Sequence, residues 1–285
     1  MNISVNAGYF LKGKCDEKTY TDVFSCLVNN SINDIDYITD AYADDYIERA
    51  KFCREIADKT GMSVTQSHCP ISRYKKDLTL DDVISTSLRS AEIAGILGAK
   101  FLVVHADEYR FAPGEEYNPG KIVKVMYEYV SKILEKAKSY GIKVCIENLF
   151  EDNLYPDMER SRFTAEIEEL LEIVNMFDRS DVGICWDFGH ALCSFGEQAT
   201  EKFKLAVPYV ECLHVHDNMG KSDAHSLPFN GINDWEAQMK LLKQAGYKGT
   251  LNYELGHGRV PEGYRNIFAE NLYKIGQYLI SLGEE

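Results

Sequence analysis

The sequence predicts a single α/β domain of eight strand–helix units, closed as a (β/α)8 barrel over residues 1–285. Short β-branched runs alternate with longer runs of helical spacing, and the alternation recurs eight times. All seven histidines fall at or just after the C-terminal end of a predicted strand, the end on which barrel loops build their sites. No linker-like or low-complexity run divides the chain. A doubly wound sheet is the alternative, weakened because no Gly-x-Gly-x-x-Gly turn follows the first strand and no phosphate-loop motif occurs.

The elements follow in order. ISV (3–5) reads as the first strand, with a helix at 19–30. DIDYI (34–38) is the second strand; Tyr46, Ile47, Ala50, Cys53 and Ile56 then give helical spacing across 43–59. MSVTQSH (62–68) leads to a helix at 80–97, and FLVVHA (101–106) to one that Asn118 caps, Pro119 starts and Gly141 stops. IKVCIEN (142–148) precedes a helix at 164–177, and VGICWDF (182–188) one at 197–206. VECLHVH (210–216) precedes 234–245, with Asn233 and Glu236 as its capping pair. TLNYEL (250–255) precedes a terminal helix at 264–282.

Composition narrows the function classes. With 45 acidic and 31 basic residues the net charge is −14, which disfavours broad attraction to nucleic acid or anionic membrane without excluding a local basic site. The start, MNISVNAGYF, lacks the form of a signal peptide, and no long apolar run suits a membrane span. Eight cysteines lack CxxC spacing, and Cys53, Cys145, Cys185 and Cys212 sit in apolar contexts. Buried, reduced thiols in a cytoplasmic protein are the expectation.

The polar residues at strand ends carry the chemistry. His68 ends the third strand, His105 the fourth, Glu147 the fifth and Asp187 the sixth, with His190 just beyond. His214 and His216 share a face of the seventh strand, so alternation does not separate them. His225 lies in the next loop, Glu254 closes the eighth strand, and His257 follows in a loop. Singly, His68 or His105 would pass as a hydrogen-bonding core residue, His216 as a supporting residue, and Asp217 and Asn218 as a turn cap. Together, imidazoles and carboxylates are ligands for zinc, manganese, cobalt or iron. Glu147 and Glu254 follow the apolar-leaning runs VCI and LNY, where an unpaired carboxylate would be costly and a metal would remove the cost.

IEN (146–148), WDFGH (186–190), HVHDN (214–218) and DAH (223–225), followed by GINDW (231–235) and YKGTLNYE (247–254), resemble in this order the xylose-isomerase-like TIM barrel superfamily. The resemblance runs over essentially the whole chain. It implies one divalent metal ion (Mn, Co, Mg or Zn) on Glu147, Asp187, His214 and Glu254. Glu147 and Glu254 would also transfer protons as catalytic residues, and His190 would contact substrate oxygens. The implied activity is isomerisation or epimerisation of a small sugar or sugar derivative: a proton beside a carbonyl is removed and returned through an enediolate.

Endonuclease IV, in the same superfamily, supplies the alternative. There the resemblance implies three zinc ions: one on His68, His105 and Glu147, a second on Glu147, Asp187, His214 and Glu254, a third on His190, Asp223 and His225. Such a cluster would cleave a phosphodiester in abasic DNA. Four departures count against it. NAGYFLKGKC differs from that family's first loop, only eight residues separate His214 from Asp223, and His216 stands where that family favours asparagine. Arg73, Lys75 and Lys76 form only a small basic cluster, read as a solvated loop. A related sugar dehydratase is the third reading, and a non-catalytic binding barrel the last.

Other residues near the strand ends have two readings each. Trp186, Phe188 and Phe150 would form an apolar wall against a sugar, or pack in the core. Arg110 and Arg259 would hold a substrate phosphate or carboxylate, or form surface salt bridges. No Ser/His/Asp signature or organic cofactor is required. Barrel helices also offer surfaces for a homo-oligomer.

Overall fold

The computed structural model describes residues 1–11, 16–75, 77–152, 154–256 and 260–284. Its strands are β1 (Asn2–Asn6), β2 (Asp34–Ile38), β3 (Ser63–His68), β4 (Phe101–Val104), β5 (Lys143–Glu147), β6 (Val182–Asp187), β7 (Val210–His214) and β8 (Thr250–Tyr253). They pair in the order β7-β6-β5-β4-β3-β2-β1-β8, with every described pair parallel. A parallel bridge from Val215 to Tyr253, with Val215 N donating to Asn252 O at 2.7 Å, brings β7 back to β8 and closes the barrel.

Strand alternation divides the side chains between two cores. Ile35, Val64, Leu102, Val144, Ile184, Leu213 and Leu251 join the large cluster beneath the helices. Val103, Cys145, Cys185 and Cys212 form a separate small cluster, each two residues before His105, Glu147, Asp187 or His214 in the chain. The barrel interior is therefore apolar and thiol-rich on the β4–β7 side. On the β1, β2, β3 and β8 side it is polar, with Ser4, Asp36, Gln66 and Asn252 all buried. Cys53, Cys145, Cys185 and Cys212 are buried free thiols, as expected.

The helices are α1 (Glu17–Asn29), α2 (Tyr46–Thr60), α3 (Leu80–Leu97), α4 (Pro119–Lys138), α5 (Ile167–Val174), α6 (Phe188–Phe195), α7 (Ala199–Ala206), α8 (Trp235–Gln244) and α9 (Arg265–Leu282). Local chemistry starts and stops them. Thr79 and Asp82 form a capping box on α3, and Gly98, at φ 74°, ends it in the left-handed region. Asn118 caps α4, accepting from Lys121 N, with Pro119 in its first turn.

Three expectations are corrected. The sixth unit carries two helices, because Asp187 caps the WDFGH turn into α6 before α7 begins. Asp234, not Asn233, caps α8 by accepting from Ala237 N, and the Asn233 side chain is left without a partner. The fourth strand stops at Val104, so His105 lies just beyond it. Among the described residues, no helix is long and apolar enough to cross a membrane.

Candidate metal centre

Parallel pairing brings the strand ends to one mouth of the barrel, and with them the candidate ligands. Glu147, Asp187 and His214 terminate β5, β6 and β7, and Glu254 directly follows β8. Asn148 positions Asp187 and the nearby His190. Its side chain accepts from Asp187 N at 2.7 Å and donates to Asp187 O at 2.8 Å, while its carbonyl faces His190 Nδ1 at 2.9 Å.

At the centre stands His214 Nδ1, 2.9 Å from Glu254 Oε2, 3.1 Å from Glu147 Oε1 and 3.6 Å from Asp187 Oδ2. One ring nitrogen carries at most one proton, so it cannot satisfy three carboxylates. A second group sits across Glu147: His68 Nε2 and His105 Nε2 lie 3.0 and 3.1 Å from its Oε2. A third joins His190, Asp223 and His225, with His225 Nε2 at 2.7 Å and His190 Nε2 at 3.5 Å from Asp223 Oδ2.

The imidazole orientations test whether these residues fit a cation. His68, His190 and His225 each turn Nδ1 to a backbone carbonyl, of Cys69, Asn148 and Glu254 respectively. Carbonyls only accept, so Nδ1 carries the proton and a neutral ring points its Nε2 lone pair at a carboxylate. Two lone pairs face one another unless a cation or a second proton intervenes. This is how metal-binding histidines are held. Glu147, Asp187, His214 and Glu254 bring ligand atoms within 4.8 Å of one another, and so do His190, Asp223 and His225. Mixed nitrogen and oxygen donors at that spacing fit a divalent ion.

The same packing sets the protonation states. Burial works against charge at Glu147 and Asp187, but the surrounding imidazoles prevail and hold both well below the carboxylate range. For Glu254, burial is outweighed chiefly by His214, which brings the carboxyl down to about 2. Burial also disfavours charge on His190 and His214, yet the neighbouring charges, Asp187 foremost at His190, push both well above their usual range. His225 is pushed up to about 9 against its burial, first by the hydrogen bond to Asp223. At His105 burial prevails and lowers the ring.

His216 also lies at the centre, with Nε2 2.9 Å from Asp187 Oδ2. Its ligand atom is within 4.8 Å of those of His225 and Glu254. However, its ring stacks on His225 at 4.1 Å and 13°. Two nearly parallel stacked rings cannot both aim in-plane lone pairs at one ion. His216 therefore braces Asp187 and His225. Gly189 makes room for it: a Cβ there would lie 1.9 Å from His216 Cε1.

Asp217 organises the loop that carries Asp223 and His225. Its buried carboxylate accepts from the backbone N–H of Asn218, Phe229 and Asn233 and from Trp235 Nε1. His225 itself sits at φ 45°, in the left-handed region, a conformation that surrounding structure must impose on a residue other than glycine.

Other expectations sort by where the side chains face. Trp186 stacks on Phe203 at 5.0 Å and Phe188 packs on Phe203 and Trp235, so both belong to the layer beneath the helices rather than to a wall of the site. Phe150 does lie at the mouth, 4.9 Å from the His190 ring. Arg73 is not a solvated loop residue: it is buried, 3.2 Å from Asp152 and 3.7 Å from Asp107. Arg110 pairs with Glu108 at 3.0 Å. With Arg73, Glu108, Tyr109, Phe111 and Tyr155 it helps line a cavity of 640 Å³ that none of the candidate ligands lines. Lys76, His257 and Arg259 lie outside the described residues.

Sequence reasoning gave no role to two buried carboxylates behind the imidazoles. Asp36 Oδ2 is 3.8 Å from His214 Nε2, and Asp107 Oδ1 is 4.0 Å from His105 Nδ1. Their signal was present in DIDYI and HADE: acids placed within a strand or three residues beyond the end of one.

Residues 33–273 match the family model described as "Xylose isomerase-like TIM barrel". An uncharacterized protein of Methanocaldococcus jannaschii is 33% identical over 150 residues, 48% of each chain. A protein of Mesomycoplasma hyopneumoniae named "Probable endonuclease 4" is 24% identical over 184 residues, 61% of this chain and 60% of that one. The chain spans 48%, 49% and 60% of the length of the first curated relatives it matches. A crystal structure of a D-tagatose 3-epimerase-like protein superposes with a TM-score of 0.76 at 21% identity, covering 100% of both chains. At that identity the likeness carries the fold alone.

Proposed function

The chain belongs to the xylose isomerase-like TIM barrel family, and from that premise we propose that it is a metal-dependent isomerase or epimerase of a small sugar or sugar derivative. One observation carries the reading: Glu147, at the end of β5, and Glu254, just after β8, converge with Asp187 on a single imidazole nitrogen of His214. Glu147, Asp187, His214 and Glu254 would hold one divalent ion. When bound, that ion polarises a substrate carbonyl and acidifies the adjacent C–H.

Glu147, buried, and Glu254, partly buried, are both held ionised and reach the same point from different strands, so one removes the proton and the other returns it to the neighbouring carbon or the opposite face. His190, held by Asn148 O through Nδ1, directs its other edge at substrate oxygens. Phe150 covers it and limits water. The absence of a long apolar helix among the described residues accords with a cytoplasmic setting.

The test is incubation in deuterated water with a panel of small aldoses and ketoses, the protein being loaded with Mn²⁺ or Co²⁺. Interconversion with deuterium incorporated beside the carbonyl is expected, and Glu147→Gln and Glu254→Gln should abolish both. No exchange into any sugar, together with cleavage of a phosphodiester, would refute the reading.

A specific observation favours a second reading. His68 and His105 on Glu147 Oε2, and His190 and His225 on Asp223, complete the nine residues that a trinuclear zinc phosphodiesterase would use. That reading is ranked below the first because Arg73 is consumed in buried ion pairs and the net charge is −14, which leaves little to attract a nucleic acid backbone.

A further inference from the structure

We propose that Asp36 is a positioning residue for His214: its carboxylate reaches from β2 into the barrel interior and holds the imidazole with Nδ1 free for the divalent ion. The inference rests on the metal-binding part of the function proposed above. His214 Nδ1 faces three carboxylates, so it is the ligand nitrogen, and the ring proton belongs on Nε2. That Nε2 is buried and has no hydrogen-bond partner, and Asp36 Oδ2 lies 3.8 Å from it. Closing to an ordinary hydrogen bond of about 2.9 Å needs a movement of roughly 0.9 Å, which a small rotation of either side chain supplies.

Asp36 has little else to do. It is fully buried, its Oδ2 accepts from Asn252 Nδ2 at 3.3 Å, and its Oδ1 has no partner. A carboxylate so placed is costly to bury, and the fold alone gives no return for it. Asp34 makes the contrast. It lies two residues earlier on the same strand face, but its Oδ1 accepts from Thr65 N at 2.8 Å, where the β2–β3 register shifts. Its role is accounted for by the sheet. A line from Asp36 through His214 to the ion fixes the tautomer and orientation of the ring and raises the basicity of Nδ1, while the proton stays on Nε2.

The experiment uses the full chain and Co²⁺ as the probe, with affinity measured by chelator competition and geometry by the visible absorption of the bound ion. Asp36→Asn is expected to weaken Co²⁺ binding about 10- to 100-fold and to shift the absorption bands. In the metal-free state the same variant should resist urea at least as well as the parent, because it removes an under-compensated buried charge; a purely structural residue would not move the two readouts in opposite directions. Should Asp36→Asn not fold, Asp36→Ser carries the same expectation. Asp34→Asn should leave affinity and spectrum unchanged, and His214→Ala should lose the ion. Wild-type affinity and spectrum in the Asp36 variant, or an equal loss in Asp34→Asn, would overturn the assignment. If His214→Ala binds Co²⁺ as the parent does, the metal reading itself falls.

Discussion

Replacing Asp217 by alanine removes four hydrogen bonds to one buried carboxylate. The donors are Asn218 N at 2.9 Å, Phe229 N at 3.0 Å, Asn233 N at 3.2 Å and Trp235 Nε1 at 3.0 Å. Bonds to a charged acceptor contribute roughly 1.5–3 kcal/mol each where water cannot substitute. Asn218 N and Trp235 Nε1 donate in buried surroundings, whereas the Phe229 and Asn233 bonds are only part-buried. Two full losses and two largely recovered from water amount to about 4 kcal/mol. At about 2–4 °C per kcal/mol for a chain of this size, Tm should fall by roughly 8–16 °C. Calorimetry and urea unfolding of metal-free protein measure this without a contribution from bound ion, and hydrogen exchange should rise in residues 218–234. Asp217→Asn, which keeps one oxygen, should fall between. A loss below about 1 kcal/mol, the size of an ordinary surface change, would refute the view that this carboxylate holds the loop.

Gly189→Ala forces a Cβ to within 1.9 Å of the His216 ring; overpacking should destabilise by about 1–3 kcal/mol, read as a lower urea midpoint, and an unchanged midpoint would contradict the packing. For Glu108, burial and then Asp107 raise the carboxyl to about 7. The folded state thus binds the extra proton, so this group's stabilisation is present below its unfolded value of about 4.5 and is lost as pH rises through about 7. Glu108→Gln should remove that fall, shown by urea unfolding of both proteins at about pH 5 and about pH 8. Finally, His190, His214 and His225 hold protons that a metal must displace. Divalent-ion affinity should therefore strengthen as pH rises from about 6 to about 8, and calorimetry in buffers of different ionisation heat should detect the released protons.

Strands β5, β6 and β7 were legible because each ends a short, mostly apolar run with a residue whose chemistry stands out. Glu147, Asp187 and His214 follow VCI, ICW and ECL, and alternation then places them in one layer. Helix α3 was legible for a different reason: Thr79 and Asp82 mark its start and Gly98 its end. Helix α6 was hidden, since FGHALCSF continues a strand without a break and only the cap by Asp187 reveals the turn. Which aromatic rings face the site was also beyond the sequence. Trp186 and Phe188 lie on either side of Asp187 in the chain and point away from it, while Phe150, remote in sequence, covers His190. Arg73 illustrates the same limit: its burial depends on Asp107 and Asp152, which arrive from two other loops. Asp36 could have been found from DIDYI alone, where two acids flank Ile35 in the buried half of the strand.

The most direct test is the metal content of protein purified without added metal or chelator. One divalent ion per chain, lost in His214→Ala, is the predicted result and supports the site on Glu147, Asp187, His214 and Glu254. No bound ion, or one retained without His214, would contradict it. Close to three zinc ions per chain would transfer the assignment to the phosphodiesterase.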